Sequence, residues 1–201
     1  MGVDYNSWDK KTADSYFEWY MSQIPLRIAY ICKRVSFDLK IDISMLDFSP
    51  KSLNIIWEWY LKTAIIEKVD AQEIERLRKS NLYQLIGESS INYEKLSLNS
   101  LLIQRDIGMY LAKVFLTECE NLSWTYTHDL PSKKIKDIFN NKPQLTGFVY
   151  HGEEVLFEPI HMVGVQAAKL LDKTHKVSDL YDLYLKWCKF YPQSTRNTGD
   201  G

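Results

Sequence analysis

The stretch Ser97-Leu-Asn-Ser-Leu-Leu-Ile-Gln-Arg-Asp-Ile-Gly-Met-Tyr-Leu-Ala-Lys-Val-Phe-Leu-Thr-Glu-Cys-Glu120, running on into Asn121-Leu-Ser-Trp-Thr-Tyr-Thr-His128, decides how this chain folds. Within it Ile103, Ile107, Tyr110, Leu111, Val114 and Phe115 recur at three- and four-residue spacing, which gathers side chains on one helix face. The spacing predicts a helix over 98–120, with Ser97 or Asn99 accepting from the free amides of the first turn. Gln104, Arg105, Lys113, Thr117 and Glu120 fall largely off the stripe and are expected to face water. Gly108 costs a helix interior about 1 kcal/mol relative to alanine. With Ala112 four residues on, it predicts a flat strip where another backbone comes close.

Beyond this helix the period changes. Leu122, Trp124 and Tyr126 alternate with Ser123, Thr125 and Thr127, the pattern of a half-buried strand over 122–127. Residues 144–149 and 155–157 read as two further strands, joined through Tyr150-His-Gly-Glu-Glu154, where Gly152 can take positive φ. Pro159 stops the last strand, because proline cannot donate to a ladder. The pattern predicts a single α+β domain over 9–192, mostly helical, with a small antiparallel sheet built from these three strands. The polar tail 193–201 cannot bury apolar surface and is expected to be disordered.

On the N-terminal side, residues 1–8 are expected to fray, and Thr12 to Gln23 reads as a helix nearly encircled by aromatic and apolar residues. Pro25 predicts a break, followed by a second helix over 26–37 with Ile28, Ile31, Cys32 and Val35 inward. Ser49 as N-cap and Pro50 at the first helical position predict a helix reaching to about Val69. Trp57 lies on its inner face, and Trp59 falls about 200° further round. Glu73 to Leu85 can be helical, and Gly87-Glu-Ser-Ser90 reads as a loop. Residues 160–171 and the segment after Ser178 read as the last two helices.

The 201 residues are 45% apolar and 25% charged, ordinary values for a globular chain. Six Trp, thirteen Tyr and eight Phe can fill a core or anchor an interface. A net charge of −1 gives no general pull toward nucleic acid or anionic membrane, and neither is expected as a partner. Cys32, Cys119 and Cys188 are widely spaced and form no CxxC pair. Buried free thiols in a reducing compartment fit them best. With a polar N-terminus and no apolar run of about 20 residues, a cytoplasmic protein is expected.

The sequence holds no Walker loop, GxGxxG, GxSxG or HExxH. No cofactor and no metal are expected. His128, His151 and His161 flank the strands, with Asp129, Glu153, Glu154 and Glu158 nearby. Such groups serve acid–base or metal chemistry only if they converge; otherwise they are polar loop ends. Trp124 and Tyr126 beside His128-Asp129 form either an aromatic floor with a charged rim or part of the core. Arg105-Asp106 reads as an ion pair on the helix surface or as a binding pair beside Gly108. Lys133, Lys134 and Lys136 form no broader basic face.

Two passages carry a resemblance. Leu46-Asp-Phe-Ser-Pro-Lys-Ser-Leu53 leads into Ile56-Trp57-Glu58-Trp59, and Asp106-Ile-Gly-Met-Tyr-Leu111 is followed by Leu122-Ser-Trp124 and Asn141-Lys-Pro143. They resemble a group of small Firmicute proteins of the kind that neutralises secreted toxins. The matching motifs are structural, so no functional residue carries over. Missing catalytic motifs, abundant aromatics and near-neutral charge predict a non-enzymatic cytoplasmic module that binds another protein, and the resemblance implies an immunity-type protein that neutralises a toxin. The alternative is a small hydrolase or metal-dependent enzyme using the histidines near the sheet.

Overall fold

Helix α1, Lys10–Leu39, runs unbroken through Pro25. The expected break is absent because the apolar phase never changes: Tyr20, Ile24, Ile28, Ile31 and Val35 step by three and four across the proline, onto one core. Pro25 itself is exposed, so the carbonyl four residues back loses its donor on the watered side of the helix. Asp9 caps the start by accepting from the Thr12 amide at 2.7 Å. The computed structural model describes residues 4–128 and 139–192. Residues 4–8 do not fray. Tyr5–Ser7 form a 3-10 turn, and the Asn141 side chain donates to the Tyr5 carbonyl at 2.7 Å.

Helix α2, Ser52–Thr63, begins later than Ser49 and stops short of Val69. Ser49 and Pro50 contribute their carbonyls to a lead-in turn, accepting from Ser52 and Leu53 amides at 3.0 and 3.2 Å. The segment expected to continue the helix instead gives strand β1, Ile66–Lys68, paired antiparallel with β2, Glu94–Leu96. That sheet is new relative to the sequence reading. The chain is drawn out of the helix because the Ile65 carbonyl and amide are taken by the Ser97 amide and the Ser100 hydroxyl, at 2.9 and 2.8 Å. Between β1 and β2 lie α3, Ala71–Arg78, and α4, Asn81–Ile86, rather than one helix over 73–85. Ser80 divides them, its side chain accepting from the Tyr83 amide.

Helix α5, Leu98–Glu118, is capped by Ser97, and twelve of its residues are buried. A second sheet orders β3 (Ser123–Thr125), β4 (Gln144–Tyr150) and β5 (Glu153–Phe157), all antiparallel. The first strand is shorter than 122–127 but has the expected place. A two-residue turn at His151-Gly152 joins β4 to β5. A bulge between Leu145 and Phe148 centres on Gly147, at φ 106°, where a Cβ would lie 2.7 Å from the Asn121 carbonyl. Helix α6, Pro159–Ala168, and α7, Asp179–Cys188, complete a mostly helical α+β domain. The 193–201 tail lies outside the described residues.

The core forms where α5 meets its neighbours. At Gly108 an added Cβ would come within 2.9 Å of the Ile160 Cα, so α5 and α6 touch backbone to backbone. Phe115 on α5 packs its ring against Phe148, Phe157 and Tyr184, at 5.4, 5.2 and 4.9 Å between centroids. Trp57 and Trp59 are both buried, against the expectation for Trp59. Helix α2 is covered on two sides. Trp57 Nε1 donates to the Lys176 carbonyl at 3.1 Å, just before α7, and Trp59 Nε1 donates to Asp38 Oδ2 at 2.9 Å, at the end of α1.

Candidate functional site

Asp106 pairs with Arg105 as expected, but away from the helix surface. It is 1% exposed, and Arg27 on α1 grips it side-on. Arg27 Nε donates to Oδ1 at 2.8 Å and Nη2 donates to Oδ2. Arg105 Nε and Nη2 reach the same Oδ1 at a longer 3.3 Å. Neighbouring residues on a helix point apart, so Arg105 is poorly placed for its own successor. The partner that turns Asp106 inward stands 79 residues upstream, where no local pattern reveals it. Gln104, expected in water, is also buried and donates through Nε2 to the Tyr60 hydroxyl at 2.8 Å.

The two arginines belong to a cleft of about 420 Å³, walled by the rings of Tyr5, Tyr16, Trp19 and Tyr20. Tyr16 is the hinge of this aromatic group, with centroids 5.7, 5.6 and 6.2 Å from Tyr5, Trp19 and Tyr20. Burial pushes the Tyr16 and Tyr20 phenols well above their ordinary pKa, so both remain O–H donors at neutral pH. The Tyr20 hydroxyl is buried and has no hydrogen-bond partner among the described residues.

Trp124 and Tyr126 face α1. Trp124 meets Tyr20 edge-on at 5.6 Å, and Tyr126 lies 5.1 Å from Phe17. The Tyr126 hydroxyl bonds to both Lys10 and Asp14. They dock the sheet against the helix rather than forming an open floor. His128 Nδ1 meets Asn141 Oδ1 at 2.7 Å, while His151 sits at the hairpin tip with its ring on Tyr150. His161, on the first turn of α6, lies against Phe139; partial burial and then the Lys142 charge hold its pKa below the ordinary value. Glu158 accepts from the Ile160 and His161 amides, which makes it the cap of α6. Asp129 and the Lys133-Lys134-Lys136 cluster lie outside the described residues. Among the described residues, no three His, Cys, Asp or Glu side chains gather as a metal-holding group.

A second feature escaped the sequence reading. Leu82, Leu85 and Ile86 on α4, and Leu98, Leu101 and Leu102 on the first turns of α5, are all exposed, as are Ile65 and Ile66 beside them. Each helical trio has the i, i+3, i+4 spacing of one face. The chain from the first trio to the second passes through Gly87–Ser90 and strand β2, which pairs with β1 beside Ile65 and Ile66. Leu85 is 80% exposed and Leu98 71%. The legible signal was a short apolar stripe at 82–86 inside an otherwise polar segment.

No described helix is long and apolar enough to cross a membrane. Comparison with protein-family models, with curated proteins and with solved structures finds no match.

Proposed function

We propose that this chain is a non-enzymatic cytoplasmic module that binds another protein on the aliphatic face of α4, β1 and the start of α5. The observation that carries the reading is the exposure of eight large aliphatic residues, six of them in two trios that each follow helical register. An apolar helix face left exposed marks a contact site in an otherwise polar exterior. Each such side chain contributes about 1.5–3 kcal/mol on full burial, so several together can outweigh the roughly 4–15 kcal/mol that association costs. The sequence resemblance supports a toxin as the partner.

Co-purification of tagged protein from its native host tests the proposal. The parent should retain a stoichiometric partner, and the double variant Leu85→Asp, Leu101→Asp should lose it while melting at the parent's temperature. A partner held equally by both would place the contact elsewhere.

A further inference from the structure

The cleft between α1 and α5 is not needed for docking on the aliphatic face, and its chemistry is of a different kind. Two guanidinium groups, from Arg27 and Arg105, share the single carboxylate of Asp106. One positive charge therefore stays unmatched in a half-enclosed space. Among the described residues no other carboxylate forms an ion pair with either arginine. Glu158, which lies within electrostatic reach of Tyr16 and Tyr20, is occupied by two backbone amides and has Lys142 nearby. Arg27 spends Nε and Nη2 on Asp106, and Arg105 holds it only at 3.3 Å, so N–H donors of both remain free.

The walls supply the rest. Four aromatic rings, three of them packed edge-on or tilted around Tyr16, present apolar surface, and Met109 adds a polarisable side chain. Tyr20 is 1% exposed and its hydroxyl has no partner among the described residues, an unmet donor that a ligand's acceptor would satisfy. A volume of about 420 Å³ lies in the range of small-molecule sites, and Gln23, Arg27 and Arg105 make this one distinctly polar.

We propose that this cleft binds a small planar carboxylate. The flat ring lies against the tyrosine and tryptophan walls, the carboxylate bridges the free N–H groups of Arg27 and Arg105, and the Tyr20 hydroxyl donates to it. A monoanion matches the single unmatched charge, whereas a dianion would leave a net negative charge beside the two arginines. This site stands whether or not the aliphatic face docks a protein.

Calorimetric titration of the full chain with benzoate and indole-3-carboxylate tests it, with benzamide, indole-3-carboxamide and phenyl phosphate as counterparts. At least one carboxylate should bind saturably at one per chain, and its amide at least tenfold more weakly. Arg105→Gln should weaken carboxylate binding at least tenfold. Tyr20→Phe removes only the hydroxyl; it should weaken binding severalfold while the melting temperature stays level or rises. The proposal is overturned by no saturable binding of either carboxylate up to about 10 mM. Amide or phenyl phosphate binding as tight as that of the carboxylate would overturn it too, as would either variant binding like the parent.

Discussion

A single methyl group decides how close α5 and α6 can come. At position 108 alanine is the better helix former by about 1 kcal/mol, yet its Cβ would meet the Ile160 backbone at 2.9 Å. Overpacking of that kind costs about 1–3 kcal/mol, and backbone cannot swing aside as a side-chain tip can. Gly108→Ala should therefore lower stability in urea melts, and Gly108→Leu should lower it much further; an alanine variant as stable as the parent would contradict the contact. Asp106 makes a contrasting case. Asp106→Asn should cost about 1–3 kcal/mol, below the 3–5 expected of a fully buried pair, because both arginines are about one-third exposed and water screens them. Chemical denaturation of that variant measures it. The glycine's role was readable, since a glycine within an apolar helical stripe points to close approach. The aspartate's role was not, since its partner lies on another helix far away in sequence.

Helices tell the same story one level up. Helix α5 and the hairpin of β4 and β5 were legible because apolar residues recur along them and their caps and turn residues are local. Pro25 and Trp59 misled for a shared reason: a single-helix rule was applied where tertiary packing decides. Trp59 lies well round the helix from Trp57, but α1 covers that flank and Asp38 receives its indole N–H. Trp57→Ala and Trp59→Ala should thus each cost roughly 3–5 kcal/mol, a parity that thermal melts can check. Pro25→Ala should stabilise the protein. Restoring a helical donor is worth up to about 3 kcal/mol, against roughly 0.4–1 kcal/mol lost because alanine frees the unfolded chain. A Pro25→Ala variant that melts lower would mean that the proline ring makes a contact α1 relies on. The β1–β2 ribbon escaped notice because Ile66-Glu-Lys68 is exposed throughout and carries no alternation; serine contacts from α5 hold it in place.

At the scale of the whole molecule, two surfaces stand out against a mixed-charge exterior: the aliphatic face and the arginine–tyrosine cleft. The candidate residues read from sequence are scattered between them. Arg105 lines the cleft and Asp106 pairs with its two arginines from behind, Trp124 and Tyr126 join the sheet to α1, and His128, His151 and His161 occupy separate positions around the sheet. Histidine spacing could suggest chemistry, but only the fold could say which groups meet. The aliphatic face was missed for the opposite reason, because leucines in a helix read as core until the structure leaves them uncovered. The most direct test of the binding account is photo-crosslinking in the native host, with a benzophenone amino acid at position 85 or 101 and a control at exposed Asp172. The account predicts one discrete heavier adduct from positions 85 and 101, containing a second protein, and none from 172. No adduct at either position, the same pattern from the control, or an adduct of twice the chain's own mass would contradict it.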